Sequence, residues 1–158
     1  MINKKALIVY YSRTGNTKKV AEELEKILDC DVEEVIDYVD RKGTVGYIKS
    51  VMDAMKRRTT KISVRKFNPE KYDIIIIATP VWASTMANAI RTYIIKYRYK
   101  FAKVAFLTTQ GSSISEKAFK EMKELCQKEP ISICAISTKE IKQGLYQEKL
   151  NNFASEIK

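Results

Sequence analysis

Ser12, Thr14 and Thr17 carry hydroxyls, Asn16 an amide and Gly15 no side chain, all within the run Ser12-Arg13-Thr14-Gly15-Asn16-Thr17. None of these neutral groups is an acid or base near neutral pH. What they do well is donate hydrogen bonds to an anion. Gly15 lets the backbone come close to such a ligand. The run matches neither G-x-x-x-x-G-K-[ST] nor G-x-G-x-x-G, so a mononucleotide phosphate held without Mg²⁺ fits better than ATP. The ordinary alternative is a helix N-cap with no ligand.

The elements around the run strengthen the anion reading. Ala6–Tyr11 is an apolar run of strand type, and a helical pattern follows with Val20, Ala21, Leu24 and Ile27 or Leu28 on one face. A strand that hands over to a helix N-terminus aims unpaired backbone N–H groups and the positive end of the helix dipole at one point. Along the whole chain, strands expected at Ala6–Tyr11, Asp31–Ile36, Asp73–Thr79, Val104–Thr109 and Ile131–Ser137 alternate with helices. The helices are expected at Thr17–Leu28, Val45–Arg57, Ala87–Tyr97, Ser115–Lys128 and Tyr146–Ile157. The first, third and fourth strands are nearly continuous apolar runs, as parallel strands covered on both faces are. The alternation predicts an α/β, doubly wound, five-stranded parallel sheet in a single domain spanning 1–158. Between Asp37 and Pro69 the pattern is least clear: a helix with Ile48, Val51, Met52 and Met55 inward, then a basic, extended segment from Lys61 to Phe67.

Ligands of open parallel sheets bind beyond the carboxyl ends of the strands, where strand order reverses. Two further loops are expected there. Pro80-Val81-Trp82-Ala83-Ser84-Thr85-Met86 holds the one tryptophan, which either stacks on a planar ring or packs in the core beneath its own loop. Gln110-Gly111-Ser112-Ser113 is short and polar, suited to close backbone approach or to capping the next helix. Together the three loops describe a slot with a phosphate cradle at one end and an aromatic wall at the other, a shape that suits FMN.

The totals exclude several chemistries. The 158 residues include no histidine and three cysteines with no CxxC pair, which removes His-based triads, imidazole metal sites and a zinc cluster. Cys30, Cys126 and Cys134 read as small buried thiols of a reducing compartment, and the absence of a leader-like start or a long apolar span makes the cytoplasm the expected location. The net charge is +10, and from Lys61 to Gln110 nine Lys/Arg stand against two Asp/Glu. Such a basic middle attracts anionic partners.

With these residues in view, the chain closely resembles the flavodoxin-like family over its whole length. Ser12-Arg13-Thr14-Gly15-Asn16-Thr17 is similar to the family's [ST]-x-T-G-x-T phosphate loop. Thr79 to Met86 is similar to its second flavin loop and Thr108 to Ser112 to its third. The resemblance implies the strand order 2-1-3-4-5, with FMN at the switch point between the first and third strands. It implies that Ser12, Thr14, Asn16 and Thr17 bind phosphate with the loop backbone, that Trp82 flanks the isoalloxazine, that the backbone around Ala83 and Ser84 faces its N5, and that Pro80, Val81 and Thr85 belong to the same cofactor-binding loop. Thr109, Gln110, Gly111 and Ser112 would border the pyrimidine end. Arg13 either neutralises phosphate or points into solvent, and solvent is the expected direction.

Two features depart from the family's electron shuttles, which are usually acidic. A basic surface eases reduction of the cofactor, and the third loop has no aromatic residue to cover the second ring face. The implied function is electron or hydride transfer, by a flavodoxin-type carrier or by a small FMN-dependent NAD(P)H or quinone reductase. The implied partners are a redox protein or such a small substrate.

Other readings are weaker. A receiver domain needs acidic residues where Tyr11-Ser12 stand, and a low-molecular-weight phosphatase needs a cysteine in the first loop. Arg91, Lys96, Arg98, Lys100 and Lys103 interleave with Tyr93, Tyr97, Tyr99 and Phe101, a composition also found in single-strand nucleic-acid binders. The ordinary reading of that stretch is a solvated helix face with tyrosines packed inward. A cofactor-free interaction module on the same fold is the remaining alternative. The Lys96–Lys103 surface is the expected dock for an acidic redox partner.

Overall fold

Isoleucine fills four successive positions of the third long strand, and all four side chains are fully buried. A strand points alternate residues to opposite faces, so this happens only when helices cover both sides of a sheet. The computed structural model describes residues 4–111 and 115–158. Its strands are β1 (Ala6–Tyr10), β2 (Asp31–Glu34), β3 (Ile74–Trp82), β4 (Thr85–Met86), β5 (Lys103–Gln110) and β6 (Pro130–Ser137). The long strands run parallel in the order β2-β1-β3-β5-β6, and β4 pairs antiparallel to the end of β3. Counting only the parallel strands, this is the expected order 2-1-3-4-5.

The helices are α1 (Asn16–Leu28), α2 (Gly43–Met55), α3 (Asn88–Tyr97), α4 (Glu116–Cys126), α5 (Thr138–Gln143) and α6 (Gln147–Ile157). Ile75, Ile77, Leu7, Val9 and Phe106 face one core with residues of α2, α3 and α4. Ile74, Ile76, Ile8 and Leu107 face the other with α1, α5 and α6. None of the described helices is long and apolar enough to cross a membrane. Cys30, Cys126 and Cys134 are free, and burial pushes the Cys126 thiol up to about 12.

Three departures from the sequence expectation bear on function. First, β3 runs through Pro80, Val81 and Trp82, so the second loop shrinks to the two-residue turn Ala83-Ser84 between β3 and β4. Second, α5 was not expected, although Ser137 and Glu140 form a capping box: Glu140 N donates to Ser137 Oγ and Ser137 N to Glu140 Oε2.

Third, α2 is turned the other way. Its buried residues are Gly46, Ser50, Asp53 and Ala54, whereas Ile48, Met52 and Met55 are exposed and only Val51 of the expected four packs against the core. The cause is electrostatic and steric. Arg41, almost fully buried, donates from Nε to Asp37 (2.6 Å) and from Nη1 to Asp53 (3.0 Å). Rotating α2 would separate Asp53 from Arg41 and leave the buried guanidinium with Asp37 as its one carboxylate partner. Gly46 also lies against the Arg41 backbone so closely that an added Cβ would sit 2.2 Å from its carbonyl carbon.

The basic segment is extended as expected. It runs beside the continuation of β2, with Tyr38 N donating to Lys61 O and Ser63 N to Ile36 O. Glu33 Oε1 accepts from the backbone N–H groups of Lys66 and Phe67.

Candidate cofactor site

The carboxyl ends of β1, β3 and β5 meet the N-terminus of α1. Gly15 is the α1 N-cap at φ 101°, a conformation that favours glycine. Ser12 Oγ accepts from Gly15 N at 3.0 Å, which leaves the Ser12 hydroxyl proton free to donate outward. The first-turn N–H groups of Asn16, Thr17 and Lys18 have no acceptor within their own helix. Thr14 is exposed and Thr17 is buried. The Thr17 and Thr109 hydroxyls are hydrogen-bonded at 2.7 Å, joining the α1 cradle to the end of β5.

These residues line a slot of about 210 Å³. Ser12, Arg13, Thr14, Asn16 and Thr17 form one end. Pro80, Val81, Trp82 and Tyr47 supply an apolar and aromatic wall, and Thr109, Gln110, Gly111 and Thr138 the remaining side. No carboxylate lines it among the described residues, and Arg13 is its one charged group. Neutral donors, a helix dipole and a cation with no competing acid suit a phosphate dianion. The aromatic wall suits a planar ring. The residues present therefore fit FMN.

The slot gathers eleven residues expected from the sequence by their loops or motifs, with differences in detail. Arg13 does not point freely into solvent: its Nη1 donates to Arg41 O at 3.2 Å and its guanidinium lies 5.2 Å from the Tyr47 ring. Trp82 lines the slot yet is buried in the core, edge-on to Tyr11 with ring centroids 5.6 Å apart and with the Arg41 guanidinium 5.8 Å from its ring. Burial and the nearby Asp37 carboxylate push the Tyr11 phenol up to about 12. The core and lining readings of Trp82 thus coincide.

Ala83, Ser84 and Thr85 do not line the slot. Ala83 and Ser84 sit at φ 49° and 64°, the left-handed pair of a tight hairpin that usually takes Asn-Gly. Thr85 turns its hydroxyl to buried Glu121, which also receives Arg91 Nη2 at 3.0 Å. Burial alone would raise the Glu121 carboxyl; bonds from Thr85 and Arg91 and the Arg57 charge hold it below its ordinary value. Ser112 lies outside the described residues.

Two lining residues escaped the sequence reading. Tyr47 lies on α2, where the apolar periodicity points to a different inward face. Thr138 follows the capping-box serine at the end of β6, and its Oγ1 donates to Gln110 O at 3.2 Å. The Ser137-x-x-Glu140 spacing was a readable signal for that junction.

The Lys96–Lys103 surface lies elsewhere. α3 leaves the carboxyl edge and delivers the chain to the start of β5, so these residues sit at the amino edge of the sheet. At about 3.3 Å per residue, the length of β5 separates them from the slot by roughly 25 Å. Arg91 is buried against Glu121, Lys100 pairs with Glu70, and Tyr93 and Phe101 pack inward while Tyr99 stays exposed.

A parallel doubly wound sheet with an anion cradle and an aromatic wall at its switch point defines a nucleotide-binding α/β protein of the kind that holds a flavin. The chain belongs to the flavodoxin family, whose model matches residues 5–157. It is similar to a flavoprotein from Lactobacillus acidophilus NCFM solved in complex with FMN, at 25% identity and TM-score 0.74, covering 89% of this chain and 97% of that one. The two-electron reduced flavodoxin of Megasphaera elsdenii matches at 21% identity and TM-score 0.58, over 97% and 99% of the chains. Fusobacterium nucleatum flavodoxin bound to flavin mononucleotide matches at 13% identity and TM-score 0.59, over 98% and 96%. No curated protein sequence matches this one.

Proposed function

We propose that this chain binds one FMN non-covalently in the slot and transfers electrons between it and a redox partner. The carrying observation is the slot itself: an anion cradle without a carboxylate, continuous with an apolar aromatic wall, in a chain of the flavodoxin family. When bound, FMN supplies the one- and two-electron chemistry, and the protein binds, orients and tunes it. The Ser12–Thr17 backbone and hydroxyls hold the phosphate, with Arg13 adding charge. Thr17 and Thr109 fix the spacing between the cradle and the β5 side of the slot. Val81 and Trp82 exclude water from the ring end. The net charge of +10 favours the negative charge that reduction adds.

One observation favours a second reading, a small reductase using NAD(P)H or a quinone. Thr109, Gln110 and Gly111 bring no aromatic side chain to the slot, so a flavin held there would meet no aromatic cover from these three residues. Anaerobic addition of NAD(P)H separates the two: rapid bleaching of bound FMN makes the protein a reductase, and persistence of the yellow colour until a protein donor is added makes it a carrier. Thr14→Ala with Thr17→Ala tests the site, with an expected loss of FMN affinity of at least about tenfold from two removed donors. Unchanged affinity rejects the phosphate assignment.

A further inference from the structure

The outward face of α2 carries Val45, Ile48, Met52 and Met55, exposed by 82%, 54%, 49% and 67%. Their spacing of three, four and three residues aligns them as one stripe. Beside the stripe runs an apolar groove of about 280 Å³, closed by Lys49, Asp53 and Arg58. The stripe cannot turn inward, because Gly46 and Asp53 lock the opposite face onto Arg41. A contiguous apolar strip held in water by a buried ion pair marks an interaction surface.

Charge identifies the occupant. From residue 42 to residue 58 the chain has five cations and one anion, Asp53, which Arg41 and Arg58 neutralise. Arg57 is paired with Glu121, while Lys42, Lys49 and Lys56 form no ion pair among the described residues. A second copy of this chain would bring like charges together. A partner with an apolar centre ringed by Asp and Glu is complementary. Position narrows the choice again: α2 begins at the slot, where Tyr47 on its first turns lines the cavity. Whatever docks on α2 lies next to the cofactor edge, which a carrier needs and the distant Lys96–Lys103 surface does not offer.

We infer that the Val45–Met55 stripe with its lysine rim is the docking surface for an acidic redox protein. The partner's redox character rests on the function proposed above; the surface itself does not.

The probe is a fluorescein-labelled amphipathic helical peptide with a leucine stripe flanked by glutamates, paired with a version in which lysines replace the glutamates. Fluorescence anisotropy with the FMN-loaded protein at low salt should give at least about tenfold tighter binding of the glutamate peptide, weakening as salt rises. The double variant Ile48→Glu with Met52→Glu changes only exposed side chains and should abolish binding. Equal affinity for both peptides, or binding unaffected by the double variant, overturns the proposal. So does wild-type co-sedimentation with phosphatidylserine vesicles that the double variant loses, which assigns the stripe to a membrane. A dimer in sedimentation velocity that the double variant dissolves overturns it in favour of a second copy. FMN retention, read from absorbance of the same samples, reports separately on the function: its absence rejects the redox reading, while the peptide, vesicle and sedimentation results decide the docking face.

Discussion

Thr17 and Thr109 are 92 positions apart in sequence, yet their hydroxyls are hydrogen-bonded at 2.7 Å inside the protein. The bond ties the first turn of α1 to the end of β5 and so sets the width of the slot between them. Each hydroxyl has one proton, so the pair shares one donor with itself and keeps one for a ligand or another acceptor.

Replacing Thr109 by Val keeps the shape and removes the partner of Thr17. Leaving a buried hydroxyl unsatisfied costs about 1–3 kcal/mol, and the slot loses its fixed width. Thermal unfolding should show the loss, and FMN titration by fluorescence quenching should show weaker binding. The double change of Thr17 and Thr109 to Val should cost less stability than the two single changes summed, because both remove one shared bond. Additive costs would mean that the pair is not coupled.

Gly46→Ala sets two effects against each other. Alanine improves helix propensity by about 1 kcal/mol. The new Cβ would lie 2.2 Å from the Arg41 carbonyl carbon and 2.4 Å from its oxygen, rigid backbone that cannot swing away. Overpacking costs roughly 1–3 kcal/mol, so the clash wins and the variant should melt lower than wild type. Ile48→Ser, on the exposed face, should stay within about 0.5 kcal/mol of wild type in urea unfolding. A large loss there would show that α2 packs with its apolar face inward after all.

Glu121 links stability to pH. Its carboxyl titrates below its ordinary value in the folded state, through Thr85, Arg91 and Arg57. A depressed folded pKa adds stability that is complete above the unfolded value near 4.3 and is lost as pH falls through the folded one. Urea unfolding from pH 7 down to pH 3 should therefore show wild type losing stability on the acid side faster than Glu121→Gln. The variant should be less stable at pH 7 by about 3–5 kcal/mol, since Arg91 is left buried without its counter-charge. Parallel pH curves for the two proteins would rule out Glu121 as the linked group.

The central sheet was readable from Ile74–Ile77 and its neighbours, because burial on both faces leaves an unbroken apolar run. The phosphate loop was readable because Gly15 and its hydroxyl neighbours mark a local backbone event. Trp82 was harder: a proline at position 80 reads as the end of a strand, while β3 continues two residues past it and turns on Ala83-Ser84 without a glycine. The orientation of α2 was invisible to periodicity, since Asp53 and Gly46 face inward only through contacts with Arg41, a residue outside the helix. Periodicity reports which residues share a face; it does not report which face a buried ion pair will claim.

The most direct measurement is an absorbance scan of the purified protein after FMN is added and free cofactor is removed by gel filtration. The account predicts flavin bands near roughly 375 and 450 nm that travel with the protein, and their loss from the Thr14→Ala, Thr17→Ala variant. Colourless protein after that treatment would contradict the assignment of the slot to FMN.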